Sequence, residues 1–215
     1  HFILLSAICI QKPKLAFQRA KLRFNSKLMS SGLRYSIVLP TAFFKSLSGQ
    51  VNRIKNGKSF LVFGTGKRTR SLPISDIDLA KYIVNCIGSE ESWNKSLPVG
   101  GPGPAVTPID QAEMLFKIFD KPKKIKHISP RFFDFALVLL FPVSFFSQKI
   151  KDKVELLKIG KYYAEESMLY YDAEANAYDA SKTPQFGENL LYEYYCSLRD
   201  EPDKIPDMGS QKLFS

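Results

Sequence analysis

The first 75 residues of this 215-residue chain contain no aspartate or glutamate at all, although they hold 14 of its 31 lysines and arginines. The remaining 140 residues carry 17 basic and 21 acidic side chains, so the formal net charge of +10 belongs entirely to the N-terminal third. Metal-binding side chains are also scarce. Three cysteines (Cys9, Cys86, Cys196) lie more than 75 residues apart with only His1 and His127 beside them, which excludes a four-ligand zinc or iron–sulfur site at any usual local spacing. Cysteines so few and odd in number build no disulfide framework and suit a reducing compartment. Long apolar runs are missing too. The longest, Phe132 to Phe146, is interrupted by Asp134 and Pro142 and falls short of the roughly 20 apolar residues that a membrane-spanning helix needs. There is no internal repeat and no low-complexity tract.

What is present has the pattern of an α/β protein. The apolar run from Phe2 to Cys9 predicts a buried strand, preceded by no charged segment or cleavage site of a targeting peptide. A chain that starts in this way with His1 reads as a fragment. A helix is expected over about 14–30, with Leu15, Leu22 and Leu28 as its apolar stripe and Ser31-Gly32 as its stop, and then a strand at Tyr35 to Leu39. Strand, helix and strand at this spacing form a βαβ unit, which requires a parallel sheet. Further on, a helix is expected over 41–54, a turn at 56–58, a strand at 59–63, helices starting behind Ser75 and Thr107, strands at 97–99 and 123–128, two helices within 130–164 and a last one near 187–199. The expected organisation is a nucleotide-binding part over 1–95, a smaller substrate-binding part over 96–200 and a tail over 201–215.

Two glycine clusters read as turns. Gly64-Thr65-Gly66 follows a strand but has no third glycine and opens no helix, and in Gly100-Gly101-Pro102-Gly103 the proline removes an amide that a phosphate cradle would use. Phe17 and Lys21 are four apart and share one face of the first helix. A lysine four residues after an apolar one occurs on any basic amphipathic helix, and Ser6, at the strand end before it, equally suits a hydroxyl bonded to backbone.

Taken in order, Leu5-Ser6-Ala7-Ile8-Cys9-Ile10-Gln11-Lys12-Pro13, Phe17-Gln18-Arg19-Ala20-Lys21, Tyr35 through Leu47, Pro73-Ile74-Ser75, Gly100-Gly101-Pro102-Gly103 and Lys158 through Met168 resemble the NADPH-dependent 3,8-divinyl (proto)chlorophyllide 8-vinyl reductases, an atypical, NmrA-like branch of the short-chain dehydrogenases. The resemblance covers nearly the whole chain. It implies the C-terminal part of a Rossmann-type NAD(P)-binding fold with a small α+β substrate-binding subdomain, and reduction of a C8 vinyl group to ethyl with NADPH, in the chloroplast.

By the same resemblance, Lys21 and Ser6 are the catalytic candidates. Lys21, Pro40, Thr41, Ala42 and Phe43 are expected at the cofactor, and Phe44, Phe132, Phe133, Tyr162, Tyr163 and Met168 at the tetrapyrrole substrate, with no metal. Residues 131–146, six of them Phe, are a candidate pocket wall, a candidate membrane contact or a buried core helix. The departures from the family are specific. Phe17 stands where short-chain dehydrogenases carry tyrosine, Leu39 where relatives have arginine, and the glycine-rich dinucleotide loop is expected upstream of His1. A nucleic-acid-binding module is the rival suggested by the basic N-terminal third, but its charges are spread over strand, helix and turn, and no nucleic-acid partner is expected. A catalytically silent fragment or an NAD(P)-binding regulatory protein is the other alternative.

Overall fold

The computed structural model describes residues 1–206; most of the expected tail over 201–215 lies outside the described residues. The chain forms two units that interleave along the sequence. Among the described residues, one comprises 1–47, 70–106 and 168–194, the other 48–69, 107–167 and 195–206. A single boundary near residue 95 was expected, and strand Lys95–Val99 crosses it without a break.

The first unit is built on a three-stranded parallel sheet of β1 (Phe2–Leu5), β2 (Tyr35–Pro40) and β4 (Lys95–Val99), in the order β1-β2-β4. Leu5 is in register with Val38, and Pro40 with Val99, so the carboxyl ends of all three strands lie along one edge. The expected βαβ unit is present, with α1 (Ala16–Met29) as its crossover. The Gln18 side chain starts this helix by accepting the Lys14 and Leu15 amides at 2.8 and 2.9 Å, which satisfies donors left open at a helix end. Ser31 ends it by donating to the Leu28 carbonyl at 2.7 Å, and Gly32 follows at φ +75.

β1 is shorter and more exposed than expected. Its only partner strand among the described residues is β2, so Phe2 and Leu5 stay exposed, whereas Ile8, Cys9 and Ile10 are buried in a 3₁₀ turn and not in a strand. The helix expected over 41–54 also breaks up. Residues 42–44 run extended beside Ile74, whose amide donates to Ala42 and whose carbonyl accepts from Phe44, leaving only a 3₁₀ turn at Lys45–Leu47 and α2 (Val51–Lys55).

α3 (Asp76–Gly88) begins where expected, with Ser75 Oγ accepting the Asp78 amide at 2.9 Å. It packs Leu79, Tyr82, Ile83 and Cys86 against Val38, Val99 and Ile74, with Phe186 at the margin. Besides giving its amide to this cap, Asp78 bonds to a residue far along the chain. Its buried carboxylate accepts the Asn189 amide at 3.0 Å, and Gly187, at φ +97, lies so close that a Cβ there would fall 2.2 Å from Asp78 Cγ. Burial pushes this carboxyl up, yet it is held below the usual carboxylate range by hydrogen bonds from the Asn189 side chain and backbone, from Ser75 and from the Glu188 backbone.

A carboxyl with a lowered folded-state pKa stabilises the protein fully above the ordinary aspartate range, and that contribution drains away as pH falls below about 4. Asp78→Ala should therefore cost about 2 kcal/mol near neutrality and flatten the acid limb of a stability-against-pH curve measured by urea unfolding. An acid limb equal to that of the unaltered protein would refute the assignment.

The first unit also contains an antiparallel hairpin of β6 (Tyr170–Asp172) and β7 (Ala177–Asp179) that the sequence reading missed. Gln11 ties it to the N-terminal segment, donating to the Leu169 carbonyl at 3.0 Å and accepting the Tyr171 amide at 2.9 Å.

The second unit holds a parallel pair, β3 (Phe60–Phe63) with β5 (Ile125–Ile128), covered by α4 (Pro108–Ile118). Thr107 and Asp110 close a reciprocal capping box at the start of α4, with Pro108 at its first position. α5 (Arg131–Leu140), a 3₁₀ turn at Pro142–Phe145 and α6 (Gln148–Glu165) follow. α7 (Leu191–Asp200) is the last α-helix among the described residues and runs from the first unit into the second.

Candidate active site at the strand ends of the first unit

In an open parallel α/β sheet, ligands bind in the crevice outside the carboxyl ends of the strands. Ser6, Thr41 and Gly100 each follow directly on one of those ends. Ser6 is fixed by its amide, which donates to the Val38 carbonyl at 2.8 Å, while its buried hydroxyl has no hydrogen-bond partner among the described residues. A buried hydroxyl left in this state is costly unless something else completes it.

Lys21 lies one turn into the crossover helix and is half-buried, with no carboxylate paired to it among the described residues. Phe17, one turn before it, is also half-buried. The same helix face carries two polar side chains that sequence reasoning passed over. Gln18 and Asn25 stand three before and four after Lys21, both are buried, and Gln18 Nε2 and Asn25 Oδ1 have no partner among the described residues. Their helical spacing around Lys21 was the available signal.

The segment after β2 is occupied with structural contacts. Thr41 donates its hydroxyl to the Leu72 carbonyl and its amide to Val99 at 3.0 Å. Pro40 is the buried last residue of β2, the Ala42 carbonyl accepts the Ile74 amide, and Phe43 packs on the Val38–Ile74 core. Phe44 is buried, its ring 5.4 Å from that of Tyr194. Met168 is buried and its amide donates to Arg70 at 2.9 Å.

The remaining expected substrate residues lie in the second unit. Phe133 is buried with its ring 4.5 Å from Phe63, and Tyr162 is buried edge-on to Tyr163, whereas Phe132 and Tyr163 expose their rings. The structure thus gathers Ser6 and the 40–44 segment at one sheet edge, with Lys21 on the helix that follows β1.

Neither the Gly100-Gly101 pair nor Gly66 leaves room for a pyrophosphate cradle. A Cβ at Gly101 would lie 1.9 Å from the Pro73 carbonyl oxygen, and one at Gly100 2.8 Å from Leu72 Cβ, so the chain's own residues 72–74 fill this loop. Gly66 is likewise closed by Ile109, whose Cγ1 would be 2.9 Å from such a Cβ. The orphaned Ser6 hydroxyl and the Lys21 cation fit the ribose–nicotinamide end of a dinucleotide, which needs a donor and a positive charge but no cradle.

No family model matches the chain. Among curated proteins it is 47% identical over 220 residues to the chloroplastic divinyl chlorophyllide a 8-vinyl-reductase of Cucumis sativus, covering 100% of this chain and 52% of the relative. The enzyme of that name from Arabidopsis thaliana is 44% identical over 217 residues, covering 98% of this chain and 52% of the relative.

Along its whole length the chain is similar to proteins named divinyl chlorophyllide a 8-vinyl-reductase.

It spans about half the length of these reductases. Solved structures place its fold. The ternary complex of leucoanthocyanidin reductase from Vitis vinifera superposes with a TM-score of 0.65 at 12% identity, over 93% of this chain and 69% of that one. An NADPH-dependent quinone oxidoreductase from Escherichia coli complexed with NADPH superposes with a TM-score of 0.63 at 16% identity, over 92% and 65%. The chain therefore has the α/β, Rossmann-type fold of these two solved reductases.

Proposed function

We propose that the chain is part of an oxidoreductase that reduces the C8 vinyl group of divinyl chlorophyllide, or of its protochlorophyllide counterpart, to ethyl with NADPH in the chloroplast. The identity of 47% along the whole chain to a curated reductase of that name carries the reading. The reaction adds one hydride and one proton across the carbon–carbon double bond of the vinyl group, and NADPH, when bound, would supply the hydride.

The chain's own residues have the remaining tasks. Lys21 donates hydrogen bonds to the ribose hydroxyls and keeps that end of the cofactor oriented toward the strand ends. Ser6 supplies a second donor at the end of β1. Pro40 to Phe43 form the wall beside the nicotinamide, rigid because residues 42–44 are bonded to Ile74. Phe17 has no hydroxyl, so the proton must come from Lys21, water or another residue of this strand–helix corner. Among the residues expected at the substrate, Phe132 and Tyr163 have exposed ring surface that a flat macrocycle could meet, whereas Phe44, Phe133, Tyr162 and Met168 are buried.

The test is an assay of a chain extended to the length of its relatives, with NADPH and divinyl chlorophyllide a. Formation of the 8-ethyl product, dependent on NADPH, is expected. No product from a folded protein that binds NADPH would reject the proposed reaction.

A further inference from the structure

Within the second unit, α5 and the turn after it are inverted relative to an ordinary surface helix. Of the apolar residues from 131 to 146, only Phe133 is buried, and it holds α5 against Phe63 of β3. Lys161 of α6 pairs with Asp134 and fixes the other side of the helix, its ammonium held above the usual lysine range by that hydrogen bond. The large side chains point outward. Phe135 is 71% exposed, Val138 76%, Phe145 75% and Phe146 89%, with Leu139, Phe141 and Val143 exposed between them. A soluble surface rarely presents so continuous an apolar patch without a partner.

Charge identifies the partner. Residues 121–161 contain ten lysines and arginines against three acids. Asp134 is paired to Lys161, Glu155 to Lys158, and Asp152 accepts a hydrogen bond from Gln148. Exposed Lys149, Lys151 and Lys153 begin three residues after Phe146 and have no carboxylate partner among the described residues. Aromatic and aliphatic side chains bordered by unpaired lysines are the composition that binds at the boundary between acyl chains and anionic headgroups. No described helix is long and apolar enough to cross a bilayer, which leaves a segment lying in the interface.

We infer that residues 131–153 form an interfacial anchor that seats this protein on an anionic lipid surface, with Phe135, Val138, Phe145 and Phe146 entering the acyl boundary and Lys149, Lys151 and Lys153 contacting the headgroups. The inference rests on this surface alone and does not depend on the proposed reaction.

The experiment is co-sedimentation of the protein with vesicles of pure phosphatidylcholine and with vesicles containing about a quarter phosphatidylglycerol. The unaltered protein should pellet with the anionic vesicles, and less so as salt is raised. The double variant Phe145→Ser/Phe146→Ser should lose about tenfold or more in partitioning, since each removes a full aromatic side chain from the apolar phase. The triple variant Lys149→Gln/Lys151→Gln/Lys153→Gln should lose its preference for anionic vesicles and its salt dependence. All these side chains are exposed, so circular dichroism should be unchanged. Failure of the unaltered protein to pellet, or pelleting undiminished in the double variant, overturns the inference. So does self-association, measured by sedimentation velocity, that the double variant abolishes while vesicles are ignored, because the patch would then cover a second copy. A chain extended to the relatives' length that no longer pellets would overturn it as well.

Discussion

Lys21→Ala should lower NADPH-dependent vinyl reduction by about 100-fold or more in a chain of the relatives' length. The proposed role combines a hydrogen-bonding contact to the ribose with a positive charge, and both vanish with the side chain. Because the contact orients the cofactor as well as holding it, kcat should fall along with a rise in the KM for NADPH. Lys21→Arg keeps the charge but replaces a compact ammonium with a planar fork, so it should recover only part of the rate. Lys27 stands further along the same helix, exposed, and Lys27→Ala should stay within about twofold of the unaltered activity. Lys21 has no carboxylate partner among the described residues, so unfolding stability should change by less than about 1 kcal/mol in Lys21→Ala. Full activity in that variant would remove Lys21 from the site; a large stability loss without a change in the NADPH KM would make it a structural residue.

The second large effect is expected at Gly101. A methyl group there would sit 1.9 Å from the Pro73 carbonyl oxygen and 2.8 Å from its carbon, which is backbone and has no rotamer to yield. The Gly101 amide also donates to Leu72 at 3.0 Å, so the loop cannot swing away without losing that bond. Gly101→Ala should cost about 3 kcal/mol or more, enough to leave most of the protein insoluble or unfolded. Gly49→Ala is the matched control, since a Cβ there meets nothing within 4 Å and the backbone is not left-handed. It should change urea unfolding by no more than about 0.5 kcal/mol. Equal stability of the two variants would show that the 72–74 segment moves freely against the Gly100–Gly101 loop.

The parts of this fold that were legible in the sequence are those decided by neighbouring residues. The βαβ unit follows from two apolar runs separated by a helix-length segment, and α3 and α4 start at Ser75 and Thr107 because the capping atoms are supplied within three residues. Gly57, at φ +69, makes the expected turn. What stayed hidden depends on distant partners. Ile8 to Ile10 extend the apolar pattern of β1, but they are buried in a turn, and no local signal separates the two outcomes. Residues 42–44 are extended because Ile74, thirty residues away, pairs with them.

The candidate site was legible only in part. Ser6, Lys21 and the 40–44 segment were identified from ordered blocks shared with a family, and they do lie at strand ends and on the crossover helix of one unit. The tightly packed state of Phe44, Phe133, Tyr162 and Met168 could not be read from their identity, because a buried aromatic and an aromatic pocket wall have the same composition. Gln18 and Asn25 were missed because polar residues on a helix are ordinarily assigned to its wet side.

The long ties in the first unit also set an order of events during synthesis. Gln11 bonds to residues 158 and 160 positions later in the chain, and Asp78 waits for Asn189, 111 positions on. The N-terminal βαβ unit therefore leaves the ribosome long before its sheet can be capped. These ties stay open while residues 107–167 of the second unit are made, and closing such distant contacts is slow. Nascent chains arrested near residue 165 should accordingly be far more susceptible to protease, and bind more holdase chaperone, than chains released after residue 194.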